Sequence, residues 1–304
     1  MQFRQIDAFR AVMVSGTATQ AAHLLRTSQP AISRLIAELE ASIRITLFRR
    51  AHGRLLPTEE AKMLFIEVEK TYLSLDHLRR FSTSLRRHDT AYLQIGSIMS
   101  FALDFVPRVV IDFAQAAPDI HVSLATSASE PIRDRVASHQ FDIGLTSDIV
   151  DVTGVEARSF SKDALIVVLP ASHRLAARKI LAPADLVDER LVSFGPETLM
   201  RCGIAEAFEM EGVDLQIAVD SPYAALLCNL VRHGGGIGIV HPFAALDFLE
   251  RGLVMRRLTV TCEQHTLLLT PPRTPQPPHI EAFIDLLDEM RRVDTERVEA
   301  ALAG

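Results

Sequence analysis

Apolar positions change period along this chain, and the changes mark its elements. Over residues 18–40, Ala22, Leu25, Ile32, Leu35, Ile36 and Leu39 recur at helical spacing and would face one small core. Ala18-Thr19-Gln20-Ala21-Ala22-His23-Leu24-Leu25 predicts a short helix, Arg26-Thr27-Ser28 a turn, and residues 29–40 a second helix. Pro30 fits a first helical turn, which has no intrahelical N–H bond to lose, and Ser28 can accept from the orphan N–H groups. Next, two short extended runs flank Gly53 and predict a hairpin over 47–58. Thr58 then caps a long helix opened by Glu59-Glu60, acids favoured by the positive end of the helix dipole. Its apolar stripe is Ala61, Leu64, Val68, Tyr72, Leu75, Leu78 and Leu85, uninterrupted by Pro or Gly before His88. Beyond residue 90 the pattern becomes strand-like. Runs at 93–96, 122–125, 141–145, 165–169, 191–194, 217–219 and 236–240 alternate with helical stretches, the signature of open α/β sheets.

Polar residues left outside the first core carry chemistry. Gln29, Ser33 and Arg34 point outward from the start of the second helix, beside Thr27, Ser28 and Pro30. Arg can bond guanine bidentately and Gln can bond adenine, and the front of a recognition helix reaches the major-groove floor. The alternative is a helical hairpin with a solvated polar face. Charge favours the nucleic-acid reading. Residues 1–58 hold eight Arg and no Lys against Asp7, Glu38 and Glu40, a balance of +5; the full chain is −6, which leaves −11 for residues 59–304. A basic module on an acidic body suits a polyanion partner for the first part only. Arg49, Arg50 and Arg54 on the hairpin make it a wing that lies along phosphates or enters the minor groove. The striped helix could pack on its own domain, but a coiled-coil-like seam between two copies better suits a reader of two-fold sites.

In the α/β body, ligands bind beyond the carboxyl ends of strands. The candidate positions there are Ser97, Met99, Ser100, Thr126, Ser127, Thr146, Asp148, Gly195, Ser221, Tyr223, His241 and Phe243. Hydroxyls and free N–H groups at helix starts make a receptor for a carboxylate, although a Ser or Thr there is more often only a cap. The Gly234-Gly235-Gly236-Ile237-Gly238 run follows a helical stretch and precedes a strand-like one, the reverse of a phosphate loop, so these glycines end a helix. There is no GxSxG, no HExxH and no metal-ligand interval among the eleven His, and Cys202, Cys228 and Cys262 have no pairing spacing. No cofactor or metal is expected, and enzyme chemistry has no anchor. With 304 residues and 48% hydrophobic content the chain can bury more than one core. It carries no secretory leader pattern and no apolar run of membrane-spanning length, so the expected location is the cytoplasm, with no membrane partner.

The combination resembles the LysR-type transcriptional regulators. Residues 1–88 carry the likeness in Phe9-Arg10-Ala11-Val12, Ala21-Ala22-His23-Leu24-Leu25, the run from Thr27 to Arg34, Leu39-Glu40, Leu47-Phe48, Arg50 and Pro57-Thr58. Arg44 stands where the family pattern has Gly, and Arg49 where Glu commonly follows Leu-Phe. The body resembles the family's effector domain, so the likeness covers essentially the whole chain. Ala11-Val12-Met13, Gly53-Arg54-Leu55, residues 142–146 and Ala244-Ala245-Leu246-Asp247 bring it nearest the subgroup of the diaminopimelate decarboxylase activator and the opine regulators.

The resemblance implies an α/β chain with an N-terminal all-α winged helix-turn-helix (1–58), a dimerising linker helix (59–89) and an effector domain (90–304). That domain would hold two periplasmic-binding-protein-like α/β subdomains, about 90–161 with 267–304, and about 162–266. Implied partners are a double-stranded DNA operator, RNA polymerase, further copies of the chain in a homodimer or homotetramer, and an amino-acid-like effector of diaminopimelate, lysine or opine type. Its carboxylate would lie near Ser97, Ser100 and Ser221, its ammonium near Asp148, and its carbon chain against Tyr223 or Phe243. A cytoplasmic solute-binding protein would share the body but has no use for residues 1–58. An amino-acid-processing enzyme would need turnover.

Overall fold

The computed structural model describes residues 1–51, 54–69, 71–72, 92–196, 198–272 and 275–304. The chain divides into two units, Met1–Arg87 and His88–Gly304.

In the first unit, α1 (Phe3–Ser15), α2 (Ala18–Leu24) and α3 (Gln29–Ile43) precede antiparallel β1 (Phe48–Ala51) and β2 (Arg54–Pro57). Hydroxyl caps set the helix starts: Thr17 accepts from the Gln20 amide at 3.2 Å and Ser28 from that of Ala31 at 3.4 Å. Ala8, Phe9, Ala21, Ile32, Leu39 and Leu47 are fully buried together. Glu40 ties the hairpin to α3, its Oε1 accepting from the amides of Leu47 at 2.7 Å and Phe48 at 3.0 Å. Leu25 departs from its expected core position and is 39% exposed, because it is the cap residue where the chain leaves α2. The turn expected at Gly53 lies outside the described residues.

Helix α4 follows, helical at 59–69 and 71–72, with Thr58 accepting from the Ala61 amide at 3.2 Å. The described part of its apolar stripe packs within its own unit. Ala61 and Val68 are buried, and Leu64, Phe65 and Tyr72 pack beside them in the core of their own unit. Arg10 fastens the helix through Glu69 at 2.6 Å and stacks over the Tyr72 ring at 4.4 Å, while the Tyr72 hydroxyl donates to Asp7. Met63 and Ile66, 71% and 58% exposed, lie off that stripe. Leu75, Leu78 and Leu85 lie outside the described residues.

The second unit holds two sheets. Lobe one orders its strands β4-β3-β5-β13-β6: β3 (Tyr92–Ser97), β4 (His121–Thr126) and β5 (Ile143–Ser147) run parallel, and β13 (Glu263–Thr270) pairs antiparallel with β5 and with β6 (Glu156–Ala164). Lobe two orders β10-β9-β11-β7-β12-β8, in which β9 (Leu191–Ser193), β10 (Ile217–Asp220) and β11 (Ile237–Val240) are parallel. β7 (Ile166–Pro170) pairs antiparallel with β11 and with β12 (Leu253–Leu258), which runs parallel to β8 (Ile180–Leu181). The chain therefore changes lobe at Leu165 and again over 259–262, a few residues from the boundaries expected at 161/162 and 266/267. The difference is the long β6–β13 ladder, paired from Glu156↔Thr270 to Ala164↔Glu263.

Helices α5 (Met99–Ala102), α6 (Phe105–Ala116) and α7 (Ser129–Ala137) follow the parallel strands of lobe one; α8 (Leu199–Glu209), α9 (Ala224–Arg232) and α10 (Pro242–Leu249) follow those of lobe two. Gly236, at φ 134°, closes the approach to β11: a Cβ there would stand 1.9 Å from the Arg190 carbonyl oxygen, so no other residue fits. Helix α11 (Pro278–Ala303) braces both lobes. Phe283 meets Phe113 edge-on at 5.2 Å, Arg158 of lobe one pairs with Asp288 at 2.6 Å, and Arg257 of lobe two pairs with Glu299. No helix of the described residues is long and apolar enough to cross a membrane.

Candidate nucleic-acid interface and ligand cleft

Helix α3 presents its polar face at its front end, because Ile32, Ile36 and Leu39 turn its other face into the core. Thr27, Ser28, Gln29 and Pro30 are exposed, Ser33 is half-buried, and the Arg34 side chain is 82% exposed. Two contacts order this face: Gln29 Nε2 donates to Ser33 Oγ at 2.8 Å, and Arg34 Nε donates to Glu38 Oε1 at 2.7 Å. The Glu38 hydrogen bond holds the Arg34 guanidinium above its ordinary pKa. Arg34 first, and then Gln5, hold the Glu38 carboxyl below its own. Arg49 is exposed on β1, two strand positions from the hairpin end; Arg50 and Arg54 occupy β1 and β2 in the pair rows Arg50↔Leu55 and Ala51↔Arg54.

Between the lobes lies a cleft of about 750 Å³, formed where strand ends of both sheets face each other. Met99, Ser100, Thr126, Ser127, Asp148, Tyr223 and His241 line it, as do Ser129, Ser147, Thr198, Met200 and the segment Glu263-Gln264-His265. The starts of α5, α7, α8, α9 and α10 all reach it, and none of its described lining residues is Lys or Arg. The expected set is thus divided. Ser97 is fully buried and its hydroxyl donates to the Ile98 carbonyl at 3.0 Å. Thr146 is fully buried within β5, and Gly195 is buried with its carbonyl accepting from Thr198 Oγ1 at 2.8 Å. Ser221 is buried, and Phe243 packs among Phe101 and Phe105, each at 5.7 Å. None of these five lines the cleft, because each is buried behind the residues that do.

Sequence reasoning passed over Glu263, Gln264 and His265, which stand at the start of β13, a strand without a clean alternating pattern. His265 bridges two acids, Nδ1 to Asp148 at 3.2 Å and Nε2 to Glu263 at 3.3 Å. Lys162 pairs with Glu263 at 2.9 Å, and that contact, then His265, holds the Glu263 carboxyl below the usual range. Deeper in, His241 of lobe two joins Asp163 of lobe one at 3.1 Å, while its Nδ1 accepts from the Phe243 amide at 3.3 Å. The second contact places the ring proton on Nε2, facing the carboxylate. Burial is the largest single influence and pushes the Asp163 carboxyl up, but the His241 hydrogen bond and charge, with smaller help from Ser161 and Arg291, together outweigh it, so the group stays below its ordinary value. Among the described residues no group of three or more His, Cys, Asp or Glu is placed to hold a metal ion.

Known proteins carry both halves of this arrangement. Residues 3–62 match the bacterial regulatory helix-turn-helix protein, lysR family, and residues 86–292 match the LysR substrate binding domain. The regulatory protein NocR of Agrobacterium fabrum is 33% identical over 98% of this chain and 100% of its own length. The transcriptional activator protein LysR of Escherichia coli is 33% identical over 93% and 91%. The octopine catabolism/uptake operon regulatory protein OccR of Rhizobium meliloti is 34% identical over 82% and 83%. Among solved structures, full-length CbnR complexed with its target DNA superposes with a TM-score of 0.71 at 20% identity, covering 95% of this chain and 100% of that one, which shares the fold. A winged helix-turn-helix followed by a two-lobed α/β domain, matched in sequence from end to end, places the chain in the LysR family of effector-responsive, DNA-binding transcriptional regulators.

Proposed function

We propose that this regulator responds to an amino-acid-like effector, of the diaminopimelate, lysine or opine type, bound between the lobes of its second unit. The observation that carries the reading is the lining of the cleft: five helix starts and a row of hydroxyls, with Asp148 at the rim and no Lys or Arg among the described lining residues. Oriented N–H groups and hydroxyls accept a carboxylate; Ser100, Ser127 and Ser129 take that role. Asp148 faces the ammonium, and Tyr223 covers the carbon chain. OccR, whose name places it over octopine catabolism and uptake, supports the opine member of the series.

On the DNA side, Gln29, Ser33 and Arg34 read base edges, Thr27, Ser28 and Pro30 set the helix start against the backbone, and Arg49, Arg50 and Arg54 engage phosphates or the minor groove. Two copies pair through α4, whose exposed Met63 and Ile66 face outward from its own core, and pairs associate into a tetramer that presents DNA to RNA polymerase in the cytoplasm. The chain acts as a regulator and not as an enzyme. An effector shifts it only through different affinities for two arrangements of the lobes.

The test is a thermal-shift series on the full-length chain with diaminopimelate, lysine, arginine, octopine and nopaline. At a concentration of a hundred Kd, a true effector stabilises by about 2.7 kcal/mol, and Asp148→Asn removes that shift while leaving the unliganded Tm in place. The absence of a shift with every member of the series would sink the amino-acid reading.

A further inference from the structure

We infer that Glu38 is a positioning residue for DNA readout, holding Arg34 so that both terminal nitrogens of its guanidinium face a base edge. The inference rests on the reading of Arg34 as a base-contacting residue. Guanine offers two acceptors, O6 and N7, and a guanidinium meets both only when its fork lies in the plane of the base. A side chain 82% exposed would otherwise sample many rotamers. Here Nε is committed to Glu38 Oε1 at 2.7 Å, which leaves Nη1 and Nη2 for an end-on pair of bonds.

An ordinary ion pair one helical turn apart would stop there, with both partners free to move. This one is fastened to the core. Gln5 of α1 is buried, and its Nε2 donates to the other Glu38 oxygen at 3.4 Å. The amide is itself oriented, because Gln5 Oε1 accepts from the Gln2 amide at 2.8 Å, which turns Nε2 toward Glu38. The relay thus runs from the N-terminal cap of α1 through Gln5 and Glu38 to Arg34, and it crosses from α1 to α3.

Selection of duplexes from a random-sequence library by the full-length chain tests this and requires no chosen operator. Arg34→Ala should lose preference for one guanine in the selected motif. Glu38→Ala should keep the motif but weaken preference at that same base pair roughly tenfold, a value inside the range for one bidentate contact. Glu38→Gln, which keeps an acceptor, should fall between, and Gln5→Ala should relax the same position. Affinity of Glu38→Ala for unselected duplex should rise, since an anion beside the phosphates is gone. A Glu38→Ala motif identical to that of the wild type, with affinity raised equally on all sequences, would reduce the pair to a helix-surface contact. A wild-type motif retained by Arg34→Ala would instead overturn the base-reading assignment itself.

Discussion

At residue scale, exposure on one helix face separates two kinds of arginine. Arg34→Ala should cost roughly five- to a hundredfold on a selected duplex and little on random DNA, the discrimination expected of one base contact. Arg49→Ala should lower affinity on every duplex and reduce the slope of log affinity against log salt by about 1. Fluorescence titrations over a salt series measure both, and equal losses for the two variants on both DNAs would overturn the division. The cysteines separate in the same way. Cys202 is exposed, whereas burial pushes the Cys228 thiol up to about 12 and raises that of Cys262. Since the thiolate is the nucleophile, iodoacetamide at neutral pH should label Cys202 in the folded protein and reach Cys228 only after unfolding; mapping the labelled peptides decides it. The exposed face of α3 was legible because helical spacing alone assigns it. Ser97 and Ser221 were misplaced because a residue at a strand end can turn to either face, and spacing does not say which.

At element scale, the end of α3 carries a cost visible from the chain. Arg44 takes the left-handed conformation at φ 59°, ψ 35°, with its amide donating to the Glu40 carbonyl. A side chain pays roughly 1–2 kcal/mol there, and glycine returns about half of that through its freer unfolded state. Arg44→Gly should therefore stabilise the chain by about 0.5–1 kcal/mol, seen as a raised denaturant midpoint; a lowered midpoint would mean the guanidinium makes a compensating contact. Helix α4 teaches a different lesson. Its stripe at Ala61, Leu64, Val68 and Tyr72 was legible as apolar, but periodicity names no partner, and the hydrophobic face of α1 lay close enough to take it. Strands β6, β12 and β13 escaped notice for a related reason: their sequences mix charged and apolar residues where edges and the cleft, rather than one solvated face, set the pattern.

At the scale of the whole molecule, the two lobes are joined at Asp163 and His241. The Asp163 carboxyl is held below its ordinary value, so its contribution is complete above that value, about 3.9, and disappears as pH falls through the lowered one. Asp163→Asn should lower Tm by a constant amount near neutrality, and the gap to the wild type should close in acid below about 4; a gap independent of pH would show that the ionised carboxylate is not what matters. Such effects depend on contacts that sequence spacing cannot reach. The sequence by itself determined the reading head, its caps, its wing and its positive charge, because those rest on neighbours within one or two helical turns. It also determined that an α/β body follows. Only the tertiary structure decided which strand ends open into the cleft, and it was the antiparallel return of β13 beside β5 that set Glu263, Gln264 and His265 next to Asp148. Sheet order brings together residues more than a hundred positions apart, and the alternation of side chains along a strand carries no record of which strand lies alongside.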